Sequence, residues 1–208
     1  MTKKILLIDD AIGVGWQKTK KNFWFFVGLI LIVWAINLLF SYLQRMINGD
    51  NHDWSYWVIF AVELAANILM SVGLIKISIF ANDEKKLEYK DLFTHYKYFW
   101  RFLGATILRS LIIFIGLILL VVPGIYLSIK FRFVTYLILD KDMGIIEAFK
   151  ESAKITKGVK WSLLGLEFCS NVIIVLGILA LLIGVFAAFP IVMVGRAHAY
   201  RVLEGQKS

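Results

Sequence analysis

Apolar stretches long enough to cross a bilayer alternate along this chain with short segments rich in lysine, a pattern that few folds accommodate. A helix needs about 20 apolar residues to traverse roughly 30 Å of hydrocarbon. Residues 23–43 meet that requirement as a first span. Residues 54–80 form a second, entered through Trp54, Tyr56 and Trp57, whose amphipathic rings suit the membrane interface. Residues 102–139 are too long for one crossing, and Pro123-Gly124 marks the turn of a hairpin. The expected spans there are 102–122 and a shorter 124–139. The last apolar region is again about double length, with Gly177 and Gly184 near its middle, giving spans 161–177 and 184–203.

Charge decides the parity. Lys3, Lys4, Lys18, Lys20 and Lys21 precede the first span, Lys85, Lys86, Lys90, Lys97 and Arg101 precede the third, and Lys141, Lys150, Lys154, Lys157 and Lys160 precede the fifth. Arg201 and Lys207 close the chain, and only Arg45 falls in the proposed outer loops. Basic residues collect on the cytoplasmic side, so an even number of crossings separates successive basic segments. The expected fold is therefore an all-α, polytopic transmembrane helical bundle. It has six helices arranged as three hairpins, with N- and C-termini cytoplasmic.

The composition agrees: 60% of the 208 residues are hydrophobic and 18% charged, against roughly 25% charged in soluble domains. Residues 1–208 are expected to form a single integral membrane domain, residues 1–22 being a cytoplasmic interfacial segment. The apolar run from Phe23 is longer than the core of a cleaved signal and lacks a small-residue cleavage site, so it should remain as a helix. Cys169 is the only cysteine, which excludes an internal disulfide or a cysteine-based zinc site. The net charge of +8 accompanies apolar helices rather than a recognition motif, which argues against nucleic acid and for anionic lipid head groups as the partner.

A repeat underlies the pattern. Trp24-Phe25-Phe26-Val27-Gly28, Trp100-Arg101-Phe102-Leu103-Gly104 and Trp161-Ser162-Leu163-Leu164-Gly165 share Trp-x-x-(Leu/Val)-Gly, each after a basic segment. Ala11 and Ala148, Thr19 and Thr156, and Lys20 and Lys157 stand at equal offsets before the first and third tryptophans. Three helical hairpins, each introduced by an amphipathic segment on the cytoplasmic face, account for this spacing.

Ionisable groups inside the spans are the candidate site, since a charge near the bilayer centre costs several kcal/mol unless paired, hydrated or able to snorkel. Glu63, Asn67 and Ser71 share one face of the second span, and Glu167 and Asn171 repeat the spacing in the fifth. Arg109, Lys130, Arg132 and Arg196 supply positive charge. At about 1.5 Å per residue, Arg109, Arg132, Glu167 and Arg196 all fall roughly 9 to 12 Å from the cytoplasmic helix ends. Three readings follow: a structural network of Glu167 with Arg109 or Arg132, basic chains that snorkel without partners, as suits Lys76, or a substrate, proton or lipid-phosphate site with Glu63 as proton carrier.

Ala180, Gly184 and Ala188, and likewise Gly195 and Ala199, have the small-xxx-small spacing that lets helices approach. Pro190 should kink the last helix unless neighbours satisfy the freed carbonyl. The opening Lys3-Lys4-Ile5-Leu6-Leu7-Ile8-Asp9-Asp10 looks like the first strand of a receiver domain, but the span at Phe23 leaves no room for the rest. His52, His95 and His198 lack metal-ligand spacing, and neither a nucleophilic triad nor a phosphate-cradling loop is present. Neither catalytic residues nor a metal or cofactor is implied.

The stretch from Pro123-Gly124-Ile125-Tyr126 through Arg132, Asp140 and Glu147-Ala148-Phe149 to Ser152, Thr156, Lys157 and Gly158 resembles a large group of uncharacterised bacterial integral membrane proteins. These are similar to the membrane domain that accompanies some glycerophosphoryl diester phosphodiesterases. Pro190 followed by Ala197-x-x-Tyr200-x-x-Leu203 is similar to the closing pattern of that group. The resemblance, over residues 10–204, implies a multi-pass domain in a bacterial cell (inner) membrane. The phosphodiesterase barrel is missing, so that activity does not transfer. The expected function is a non-enzymatic scaffold or accessory subunit in envelope or lipid homeostasis, with a membrane protein partner. The alternative is a small transporter of a lipid-like or amphipathic substrate.

Overall fold

A computed structural model of the chain describes residues 7–47, 54–180 and 183–206. Within them the backbone is helical and no strand occurs: α1 (Ile8–Lys21), α2 (Phe23–Ile47), α3 (Trp54–Asn82), α4 (Phe99–Leu119), α5 (Val121–Lys130), α6 (Val134–Lys141), α7 (Ile145–Ile155), α8 (Lys160–Leu179) and α9 (Ile183–Gly205). Single 3-10 turns at Tyr89–Leu92 and Tyr96–Tyr98 precede α4. Lys3, Lys4, His52 and Lys207 lie outside the described residues, while Ile8, Asp9 and Asp10 open α1 rather than ending a strand.

Five stretches are long and apolar enough to cross a membrane: Phe23–Met46, Trp54–Asn82, Tyr89–Leu119, Val121–Lys141 and Lys160–Leu179. Their outer faces carry large exposed apolar side chains such as Trp34, Leu38, Phe114 and Val175. Such a surface fits lipid rather than water, as in a multi-pass membrane protein.

α9 is the axis of the molecule. Ala188, Ile191, Val192, Met193, Val194, Ala197, Ala199, Tyr200 and Leu203 are all buried, and α1, α2, α3 and α8 pack around it. Small residues make this possible. Gly15 of α1 faces the Ile191 carbonyl so closely that a Cβ there would collide with it, and a Cβ on Gly195 would come within 2.8 Å of the Ala11 carbonyl. The segment expected at the interface is thus a helix whose Ala11-Gly15-Thr19 face is covered by α9, while Trp16 stays exposed. α1 meets α2 at Asn22, whose N–H and side-chain amide both donate to the Lys18 carbonyl (3.2 and 3.1 Å). α9 runs through Pro190 without interruption.

The proline–glycine pair does not make the turn expected of it. The chain reverses at Leu120, which is extended between α4 and α5, and Pro123 and Gly124 lie within the first turn of α5. Proline is tolerated there because first-turn N–H groups have no intrahelical acceptor. Gly124 serves contact: α5 lies so close to α4 that a Cβ would strike the Leu117 side chain. Nor is 124–139 a single helix, since residues 131–133 interrupt it between α5 and α6.

The repeat has a structural counterpart. Its three tryptophans, Trp24, Trp100 and Trp161, are 81%, 77% and 85% exposed, so all three point away from protein. Its three glycines each receive a side chain from one of the short segments: Gly28 from Tyr89, Gly104 from Ile145 and Gly165 from Ile8. Each segment thereby seats on the helix of the preceding repeat, and the first seats on the third, which closes a cycle. The paired offsets also match, because Ala11 and Ala148, and Thr19 and Thr156, are all buried.

Candidate functional site

The interruption at 131–133 is held open by hydroxyl groups. Two helix ends meeting inside an apolar region leave carbonyl and N–H groups without partners. Ser152 Oγ of α7 donates to the Lys130 carbonyl (2.9 Å) and accepts from the Phe133 N–H (3.3 Å), and Thr156 Oγ1 reaches the same carbonyl at 3.3 Å. Ser152 and Thr156 are fully buried. α7 then ends, and Gly158 takes a φ of +91°, a conformation that favours glycine, before α8 begins. Ser152 and Thr156 therefore brace the break from α7.

The break positions Arg132. Its guanidinium pairs with one oxygen of Glu167 on α8, and Arg196 Nη2 of α9 donates to the other oxygen at 2.8 Å. Arg109 of α4 stands in the same layer without an ion-pair partner among the described residues, and its buried Nε has no hydrogen bond. Arg196 Nε is buried and likewise without a hydrogen bond among the described residues. A cavity of about 320 Å³ opens between these arginines, with Ser71, Thr135 and Tyr136 as its neutral polar groups. A smaller recess of about 30 Å³ lies against Glu167, Arg132 and Arg196.

The expected polar layer of Arg109, Arg132, Glu167 and Arg196 is thus brought together, with Glu167 bound to Arg132 and Arg196 rather than to Arg109. The other candidates are elsewhere. Glu63 accepts from Gln44 Nε2 of α2 at 2.5 Å, and Asn67 Nδ2 donates to the Glu63 carbonyl at 3.1 Å, so this face joins α2 to α3. Of that face only Ser71 reaches the cavity. Asn171 is exposed on α8. The Lys130 amine sits 5.2 Å from the Phe131 ring centroid, and only its carbonyl serves the break. The Lys76 amine rests near Tyr98 and Phe80, 5.5 and 5.9 Å from their centroids.

A second ionic cluster ties α9 to Asp83, just beyond α3, and to Asp140 in the last turn of α6. Arg201 donates to Asp83 through Nε and Nη2 (2.9 and 2.6 Å) and to Asp140 through Nη1 and Nη2 (2.6 and 2.9 Å). Tyr200 donates to Asp140 at 2.9 Å. Burial works against ionisation of Asp83, but the Arg201 hydrogen bonds and charge outweigh it and hold the carboxyl below its ordinary range. Sequence reading counted Arg201 only as flanking charge. Asp140 and Tyr200, named in two separate stretches of the sequence, prove to touch. No family profile, curated protein sequence or solved structure matches this chain.

Proposed function

We propose that this protein is a small, non-enzymatic carrier of a lipid-like or amphipathic molecule in a bacterial cell membrane. In this reading it has six crossings, arranged as three hairpins with both termini cytoplasmic. The interrupted helix carries the proposal. A discontinuous helix lining a cavity between helices is a device that transporters use to expose polar groups at membrane depth, and α5, α6 and the Arg132 between them have that form. The wall opposite the arginines is apolar, as an amphipathic cargo requires. The resemblance to membrane domains beside phosphodiesterases of lipid-derived substrates points in the same direction. A scaffold or accessory subunit needs neither the break nor the cavity.

The test is leaflet exchange. The purified chain is reconstituted into vesicles with tail-labelled lipids of several head groups, and exchange is followed by quenching the outer leaflet. Exchange above protein-free vesicles, lost when Val192→Trp fills the cavity, is the expected result. Absence of exchange for every head group overturns the carrier reading and leaves the accessory one, which predicts a near-stoichiometric partner after gentle extraction. A reporter after Ser208 that reads as extracytoplasmic overturns the six-crossing topology.

A further inference from the structure

The cavity holds more positive charge than its walls cancel. Arg109, Arg132 and Arg196 contribute three charges and Glu167 returns one, which leaves a surplus of two. The surplus has a definite location. Glu167 is fully used in fixing Arg132 and Arg196, whereas Arg109 faces the cavity with no acid of its own among the described residues. Buried Nε groups on Arg109 and Arg196 lack acceptors among the described residues, although an unpaired buried donor is costly and is normally satisfied. The three arginines come from α4, from the α5/α6 break and from α9, so an acceptor placed among them would be gripped from three independent directions. Guanidinium forks match the oxygens of phosphate in bidentate fashion.

We propose that this cavity binds a phosphate monoester group, with Arg109 as the residue that receives it and Glu167 as the built-in acid that holds the other two arginines in place. The charge selects the class. A phosphate monoester carries about −1.5 to −2 at neutral pH and nearly cancels the surplus. A phosphodiester or a carboxylate carries one charge and leaves the other buried and uncompensated. Leu74, Ile75, Ile174, Phe189, Val192 and Met193 form the rest of the wall, so the monoester of a lipid fits better than free phosphate. The inference rests on the carrier reading of the same cavity and narrows its cargo.

The experiment uses the whole chain in phosphatidylcholine nanodiscs and measures binding of phosphatidic acid, phosphatidylglycerol and inorganic phosphate by native mass spectrometry and thermal shift. Phosphatidic acid is expected to bind at least about tenfold more tightly than phosphatidylglycerol, the difference one charge-assisted contact makes. Arg109→Gln should remove that preference without lowering the melting temperature of the lipid-free protein, because no partner is lost, and Arg109→Lys should restore part of it. Inorganic phosphate that competes at equal affinity would show that the ester and its tails are not recognised and would overturn the assignment of a lipid monoester. Equal binding of phosphatidylglycerol, or an unchanged preference in Arg109→Gln, overturns the inference. If lipid exchange persists and is sensitive to Val192→Trp while no monoester preference exists, only this inference fails. If no lipid exchanges, the carrier reading fails with it.

Discussion

The two ionic clusters use the same chemistry in opposite proportions. Around Arg201, two acids share one arginine, every guanidinium nitrogen faces a carboxylate oxygen, Lys85 adds a second base 3.8 Å from Asp83, and Tyr200 completes Asp140. Around Glu167, one acid pairs with two of three bases, two guanidinium Nε atoms are left over among the described residues, and a cavity adjoins them. Complete pairing joins the ends of α3, α6 and α9 and leaves nothing for a ligand to do. Incomplete pairing at a cavity leaves an energy deficit that a ligand can remove. The contrast separates a latch from a site without appeal to residue type.

The largest effect should come from Arg201→Gln, which removes all four guanidinium hydrogen bonds to Asp83 and Asp140 and leaves them only Lys85 at 3.8 Å and Tyr200 at 2.9 Å. Removing one partner of a buried pair costs about 3 to 5 kcal/mol. Unfolding of the detergent-solubilised protein measures it, and a change below about 1 kcal/mol, the range of exposed pairs, would break the latch half of the comparison. Glu167→Gln follows, with an expected loss of about 1.5 to 3 kcal/mol, the range of hydrogen bonds to charged groups, as Arg132 and Arg196 lose their acid. The second variant sharpens the contrast. Added phosphatidic acid should stabilise Arg201→Gln by the same increment as the parent chain, because its cavity is intact, and Glu167→Gln by a larger one, because the anion then also replaces the acid lost between Arg132 and Arg196.

The sequence exposed some of this and concealed the rest for identifiable reasons. Spans show in apolar length, and the Trp-x-x-(Leu/Val)-Gly repeat was visible, but not that Gly28, Gly104 and Gly165 each seat a residue from another repeat. Helical spacing put Glu63, Asn67 and Ser71 on one face without saying what that face meets, and it meets mainly Gln44 of α2. The break was hidden because Phe131, Arg132 and Phe133 are not helix breakers; the groups that stabilise it, Ser152 and Thr156, lie on α7. Proline and glycine misled in the opposite way. Pro123 suits a helix start, so the turn fell at Leu120 instead. The Glu167 layer was legible from depth counting alone, whereas the Arg201 latch draws on helix ends, where acids read as ordinary loop residues.

Ser152→Ala tests whether the break itself holds Arg132 in the site. The Lys130 carbonyl keeps Thr156 at 3.3 Å, but the Phe133 N–H loses its acceptor inside an apolar layer. The expected cost is about 1 to 2 kcal/mol, smaller than for either charged cluster. Amide hydrogen exchange at Phe133 should rise before that of α6, and the preference for phosphatidic acid should weaken with it. A variant that keeps full preference would show that Arg132 is positioned by Glu167 without help from the break.

The smallest effect is acid sensitivity of the latch. Asp83 lies just beyond α3, and its carboxyl is held below the ordinary value near 3.8 by Arg201 despite burial. A depressed native value means that the unfolded chain binds the proton more readily, so the stabilisation is complete above that ordinary value. It is lost as pH falls through the lower native one. Melting temperature should therefore be flat with respect to this group at neutral pH and fall below about pH 4. In Arg201→Gln the native value returns toward the ordinary range and the acid step should shrink. An acid step of equal size in both chains would place its origin outside the latch, leaving the Arg201 cluster as a set of close contacts whose charges contribute little.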